Sequence, residues 1–219
     1  MKEDLTDINI VLDRSGSMSS VRDDTIGGFN TFLQSQKEAP GEAQLTLVQF
    51  DHEYEIVYNG VDVQSVSELT TKTFVPRGST ALLDAIGRTI NSTGARLAEM
   101  PEEERPGKVI FVILTDGEEN SSAEFTKDQI NEMIKLQTEI YNWDFVFLGA
   151  NQDAIKTGAS IGIVAGNAMT YAATADGVGD TYRSIGASMT AYRVGDVDLK
   201  SKFFSDEDRK KQEDYLNNE

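Results

Sequence analysis

Short apolar runs that end in polar turns alternate with longer amphipathic stretches along most of this chain. The first run, Ile8, Ile10, Val11 and Leu12, stops at Asp13, and hydroxyls follow at Ser15 and Ser17. That pattern predicts a buried strand entering a loop. Val21–Gln36 then sets Val21, Ile26, Phe29, Phe32 and Leu33 at helical spacing, with Ser19 or Ser20 as cap. Gly27 and Gly28 inside it point to a close approach to the sheet. Ala43–Phe50 and Tyr54–Tyr58 read as two strands. Only Asp51, His52 and Glu53 lie between them, too few for a helical crossover, so this pair is expected to be antiparallel and to end at Asn59-Gly60.

Val61–Phe74 has no clear period and reads as irregular chain with a short helix. Phe74–Thr80 is a loop by its Pro and Gly, and Leu82, Leu83, Ile86, Ile90 and Leu97 then trace an amphipathic helix. After an acidic surface loop at Pro101–Pro106, Val109–Leu114 is the most apolar strand, as one covered by helices on both faces should be. It ends in Thr115-Asp116-Gly117. Thr126 and Gln129 look like a capping box opening a helix with the inner face Ile130, Met133, Ile134 and Ile140. Phe145–Leu148 is the next buried strand, followed by a short helix to about Ile161 and a short edge strand at Ala168–Ala172. Val178, Tyr182, Ile185, Met189 and Tyr192 form the clearest helical stripe in the chain.

Alternating strands and helices predict an α/β fold: a doubly wound, Rossmann-like sheet, mostly parallel with one antiparallel edge strand, and helices on both faces. The first or the fourth strand should be central. The domain is expected to span 1–195, leaving 196–219 as a charged tail. Within that tail, Ser205, Asp206–Asp208 and Arg209–Lys211 suit a short helix, and Phe203-Phe204 either docks on the domain or meets a partner.

Composition narrows the partners. With 37 Asp+Glu against 20 Lys+Arg, the net charge of −17 repels nucleic-acid backbones and anionic lipid surfaces. The chain has no cysteine, which removes disulfides, zinc–thiolate sites and thiol nucleophiles. No stretch approaches the ~20 apolar residues that span a bilayer, and the amino terminus lacks a signal pattern; a cytoplasmic location is the expectation.

Three loops carry candidate chemistry: Asp13-Arg14-Ser15-Gly16-Ser17, Gly78-Ser79-Thr80 and Asp116-Gly117. If the first and fourth strands are neighbours, both aspartates and the serines face one crevice at the carboxyl ends of the strands, with Thr80 in reach. Two carboxylates and three hydroxyls, without His or Cys, form an all-oxygen set suited to Mg²⁺ or Ca²⁺. Ser15 or Ser17 could equally cap the next helix.

With these residues the sequence resembles the von Willebrand factor type A family, the fold also found as the integrin I domain. The family's metal-ion-dependent adhesion site carries Asp-x-Ser-x-Ser, a distant Thr and a distant Asp, matched here by Asp13, Ser15, Ser17, Thr80 and Asp116. The resemblance implies that Ser15, Ser17 and Thr80 ligate the ion directly, and that Asp13 and Asp116 bind it directly or through water. Mg²⁺ is the expected ion, with Mn²⁺ or Ca²⁺ possible. It further implies an open position completed by an Asp or Glu of a protein partner, and for soluble members recruitment to assemblies such as ATPase-linked stress systems. The rival is a Mg²⁺-dependent phosphohydrolase or phosphotransferase on a similar sheet. It is weakened by Ser15 standing where a nucleophile loop would place a second carboxylate, and the chain has no phosphate-binding Gly-x-x-x-x-Gly-Lys loop.

Secondary candidates are weaker. Glu118 and Glu119 read as a solvated pair beside the site, the alternatives being to raise cation affinity through water or to screen out acidic partners. Asn151 and Asp153 read as helix caps, the alternative being to line the rim. His52 reads as a turn residue, and Arg77 as holding an acidic partner, pairing with Glu118, or equally as an ordinary solvated arginine.

Overall fold

The computed structural model describes residues 1–150, 153–195 and 202–217. Strand β1 (Lys2–Asp13) lies between β2 (Glu42–Phe50) and β4 (Pro106–Thr115). The sheet order is β3-β2-β1-β4-β5-β6, with β3 (Tyr54–Asp62), β5 (Asp144–Ala150) and β6 (Ala168–Tyr171) completing six strands. Every pairing is parallel except β2 with the edge strand β3. The two strands that end in the candidate aspartates are therefore central neighbours, with Leu12 opposite Leu114.

Helices α1 (Arg22–Glu38) and α5 (Ala175–Val194) cover one face, where Phe29, Phe32, Tyr182, Ile185 and Met189 meet Ile8, Ile10 and Leu12. On the other face α2 (Leu82–Glu99), α3 (Lys127–Tyr141) and α4 (Ala154–Ser160) pack Ile86, Ile90, Ile130 and Ile134 on Val11, Phe111 and Ile113. Strands covered on both sides carry apolar residues at successive positions, which is why Val109–Leu114 reads as a continuous run. Thr126 and Gln129 make the expected capping box at the start of α3.

Four expectations need correction. Ser19 and Ser20 do not cap α1; they lie inside a 3-10 turn, Gly16–Val21, that Met18 and Val21 anchor in the core. Strand β3 does not stop at Asn59-Gly60. Gly60, at φ 62°, is absorbed in an irregular stretch of the ladder where its amide donates to Thr46 Oγ1, and pairing resumes to Asp62. Ile140 is 61% exposed. Helix α3 ends at the left-handed Asn142, and Trp143 is the residue that joins the core there, stacked on Phe111 with ring centroids 5.4 Å apart. Finally, Gly28 meets a helix and not the sheet: an added Cβ would fall 2.2 Å from Cδ2 of Tyr182 on α5.

Phe203 and Phe204 are buried in the core of the α1/α5 face. Helix α6 (Asp206–Leu216) opens on a Ser205/Asp208 capping box. It covers the edge strand: Arg209 donates to the carbonyl of Ala168 at 2.7 Å, and Gln212 accepts from the Ala172 amide at 3.0 Å. Edge backbone groups that would otherwise stay open are thereby satisfied by side chains.

Gly27 and Gly28 make a matched test of packing. An added methyl at Gly27 meets nothing within 4 Å, whereas at Gly28 it collides with Tyr182. Gly27→Ala should stabilise by about 0.5–1 kcal/mol through helix propensity. Gly28→Ala should destabilise by about 1–3 kcal/mol through overpacking between α1 and α5. Urea titration of both variants checks this; shifts of the same sign would refute the packing.

Candidate metal centre

Parallel pairing delivers Asp13 and Asp116 to the same end of the sheet, and local turns aim the rest. The Asp13 side chain takes the Ser15 amide at 2.6 Å, an Asx turn that folds the chain back at the strand end. Its other oxygen accepts the Thr115 hydroxyl at 2.6 Å, joining β1 to β4 at their tips. Ser15 Oγ lies 3.1 Å from Ser17 Oγ, and Ser17 donates to Asp116 Oδ1 at 2.6 Å. Ser15 stands at the start of the 3-10 turn yet makes no side-chain cap bond. The helix-capping role open to it in sequence is not the one it takes.

Thr80 completes the cluster from the loop before α2. A Cβ built on Gly117 would come within 2.9 Å of Thr80 Oγ1, 3.5 Å of Ser17 Oγ and 3.8 Å of Ser15 Oγ. Three hydroxyls thus converge on a cradle kept open by the missing side chain. Asp13, Ser15 and Thr80 are buried at its floor, while Ser17 and Asp116 stand at the rim. All five residues singled out in the sequence are brought together. Among the described residues no group of three or more His, Cys, Asp or Glu side chains is arranged to hold a metal ion; the oxygens gathered here are two carboxylates plus hydroxyls.

The electrostatics are those of a site short of positive charge. Burial pushes the Asp13 carboxyl up to about 6, against the hydrogen bonds from Thr115 and Ser15 that favour its charged form, and Asp116 nearby adds to the rise. Burial raises Asp116 as well, opposed by the bond from Ser17. Neither carboxylate has an ion pair with Arg, Lys or His among the described residues. Hard, neutral and anionic oxygens gathered at the Gly117 cradle fit a hard divalent cation.

The loop after β4 carries residues that the sequence reading undervalued. Helix α2 has no side-chain cap of its own. Glu119 supplies one, accepting the Leu83 amide at 3.0 Å, and Ser122 accepts the Asp84 amide at 3.1 Å. Glu119 also takes the amides of Ser121 and Ser122 at 2.9 and 2.8 Å, so it is a helix cap and not a solvated residue; Glu118 is exposed. Asp84 reciprocates by accepting the amides of Ala123, Glu124 and Phe125. Asn120 brackets Thr80, accepting its amide at 2.9 Å and donating its own to the Thr80 carbonyl at 3.1 Å. The polar cluster Glu118–Ser122 was the available signal, but its partners lie in a helix far upstream. Arg77 pairs with Asp51 and Glu53 and not with Glu118. Asp153 caps α4 through the Lys156 amide, and Asn151 lies outside the described residues. His52 is half exposed, its Nδ1 3.1 Å from Asp51.

The family model for the von Willebrand factor type A domain matches residues 7–177. The chain belongs to this family. Solved structures agree on the fold of this type A domain. Proximal thread matrix protein 1 from the mussel byssus, solved with a zinc-occupied MIDAS motif, has a TM-score of 0.57 at 17% identity, over 87% of this chain and 47% of that one. The pilus adhesin SpaC from Lactobacillus rhamnosus GG has a TM-score of 0.65 at 15% identity, over 88% and 31%. The vWF domain of the type V pili tip protein Mfa5 from Porphyromonas gingivalis gives 0.55 at 12%, over 83% and 95%. The type A chain described here thus spans under half of the mussel protein and under a third of SpaC. In the comparison with curated proteins nothing matches. Among the described residues no helix is long and apolar enough to cross a membrane.

The raised Asp13 value has a signed consequence for the metal-free protein. A carboxyl that holds its proton more tightly folded than unfolded makes stability fall as pH rises from its unfolded value, about 3.9, to its folded one. In chelator, the stability of the wild type relative to Asp13→Asn should drop by about 2–3 kcal/mol between pH 4 and pH 7. Urea titrations across that range check it; a difference independent of pH would contradict the buried, uncompensated carboxylate.

Proposed function

We propose that this type A domain is a metal-dependent protein-interaction module without catalytic activity of its own. Ser15, Ser17 and Thr80 would hold the cation with their hydroxyls, and Asp13 and Asp116 would hold it directly or through water. Mg²⁺ is the proposed ion, with Mn²⁺ or Ca²⁺ as alternatives; the zinc-occupied motif of the mussel byssus protein supports a divalent cation at this position of the fold. When bound, the ion would supply a Lewis-acidic centre with a coordination position available to an Asp or Glu of a protein partner.

One observation carries the reading: Thr80, Ser15 and Ser17 hydroxyls meet at the Gly117 cradle beside two desolvated carboxylates that lack a basic partner among the described residues. A phosphohydrolase would need a nucleophile or base and a cation for phosphate. Position 15 offers a hydroxyl bonded toward Ser17, and Arg14, between Asp13 and Ser15 in the chain, is spent on Asp51 and Glu55.

Calorimetric titration with Mg²⁺ and Mn²⁺ tests the assignment. Asp13→Ala should weaken binding at least 100-fold with the far-UV spectrum retained. Gly117→Ala should weaken it at least tenfold, because Gly117 has no positive φ to protect and the methyl would enter the cradle. Wild-type affinity in both variants would defeat the site.

A further inference from the structure

We propose that Asp51 is a positioning residue for the metal centre, holding the loop of Asp13, Ser15 and Ser17 at a fixed distance from the loop of Thr80. The inference rests on the metal-site reading above and names a residue outside the donor set. Asp51 follows the last residue of β2, and its side chain is fully buried. One carboxylate oxygen accepts Arg14 Nε at 3.0 Å and Arg77 Nε at 2.9 Å. The other accepts the Glu53 amide at 2.6 Å. Its backbone carbonyl accepts the Ala81 amide at 2.9 Å.

Three of these partners, Arg14, Arg77 and Ala81, belong to the loops that carry donor residues; Glu53 closes the turn of Asp51 itself. Arg14 stands between Asp13 and Ser15, Ala81 follows Thr80, and Arg77 opens the turn that leads to Thr80. Two backbone bonds close the same seam: Arg77 donates to the Arg14 carbonyl at 2.8 Å, and Gly16 donates to the Gly78 carbonyl at 3.1 Å. One carboxylate therefore joins the ends of β1 and β2 to the entry of α2. It does a second thing. The outer nitrogens of the two guanidinium groups reach Glu55 and Glu53, so both cations next to the site are consumed away from it. Released from Asp51, Arg14 or Arg77 could turn to Asp13 or Asp116 and compete with a metal ion for their charge.

The test compares Asp51→Asn with Ile134→Val, a core change in α3 remote from these loops. Mn²⁺ titration should show a loss of at least tenfold for Asp51→Asn and less than twofold for Ile134→Val. A purely structural role would not alter coupling, so Thr80→Ala is added to each background: its fold-loss should shrink in Asp51→Asn and stay constant in Ile134→Val. Amide exchange in chelator gives a reading free of the metal. Gly16 and Ala81 should exchange at least tenfold faster in Asp51→Asn while Ile10, inside β1, is unchanged. If Asp51→Asn does not fold, Arg77→Gln, at a half-exposed position, should show the same changes in the same direction. Unchanged affinity with a binding wild type, or unchanged exchange at Gly16 and Ala81, overturns the proposal. A wild type that binds no Mn²⁺ removes the metal reading, and the proposal with it.

Discussion

Everything at the carboxyl end of this sheet depends on β1 and β4 lying side by side in parallel. The pairing sets Leu12 against Leu114, and the hydroxyl of Thr115 closes onto the Asp13 carboxylate at 2.6 Å. Two acidic side chains from distant parts of the chain thus share a desolvated corner, a costly placement without compensation. The fold sustains it through apolar strands covered on both faces: Ile8, Val11, Ile110, Val112 and Ile113 have no measurable exposure. The core does not merely carry the site. It enforces a concentration of negative charge that the described residues do not neutralise.

Around that corner the loops hold one another and not themselves. Helix α2 has no cap of its own and borrows Glu119 and Ser122 from the loop after β4, while Asp84 returns three hydrogen bonds to that loop. Asp51 does the corresponding work on the opposite side, between β1, β2 and the approach to α2. Thr80 sits between the two clamps. A hydroxyl donor on a loop gains its precision from such supports, because it has neither the register of a strand nor a local turn that fixes it.

Much of this was legible in the residues. Asp13 and Asp116 end apolar runs, the spacing of Ser15 and Ser17 puts hydroxyls on one side of a turn, and the short Asp51–Glu53 connection dictates the antiparallel edge. The motif and strand context together pointed to the family that the match over 7–177 shows. What escaped was long-range. Asp51 also follows an apolar strand, Ala43–Phe50, but its arginine partners come from two other loops that no local pattern ties to it. Glu119 looked solvated because the helix it caps begins far upstream. Gly28 was read against the sheet when Tyr182 of α5 is what fills its space. Ile140 satisfied the helical period yet fell in the last turn, where Trp143 takes the core position. Periodicity reports which face is apolar, and is silent on where along that face the neighbour ends.

The most direct test of convergence is anomalous diffraction from crystals of the full chain grown with Mn²⁺. The account predicts a single strong peak in the Gly117 cradle, within bonding distance of the Ser15, Ser17 and Thr80 oxygens. A map with no peak there, or with a basic side chain turned onto Asp13 and Asp116 in its place, would contradict it.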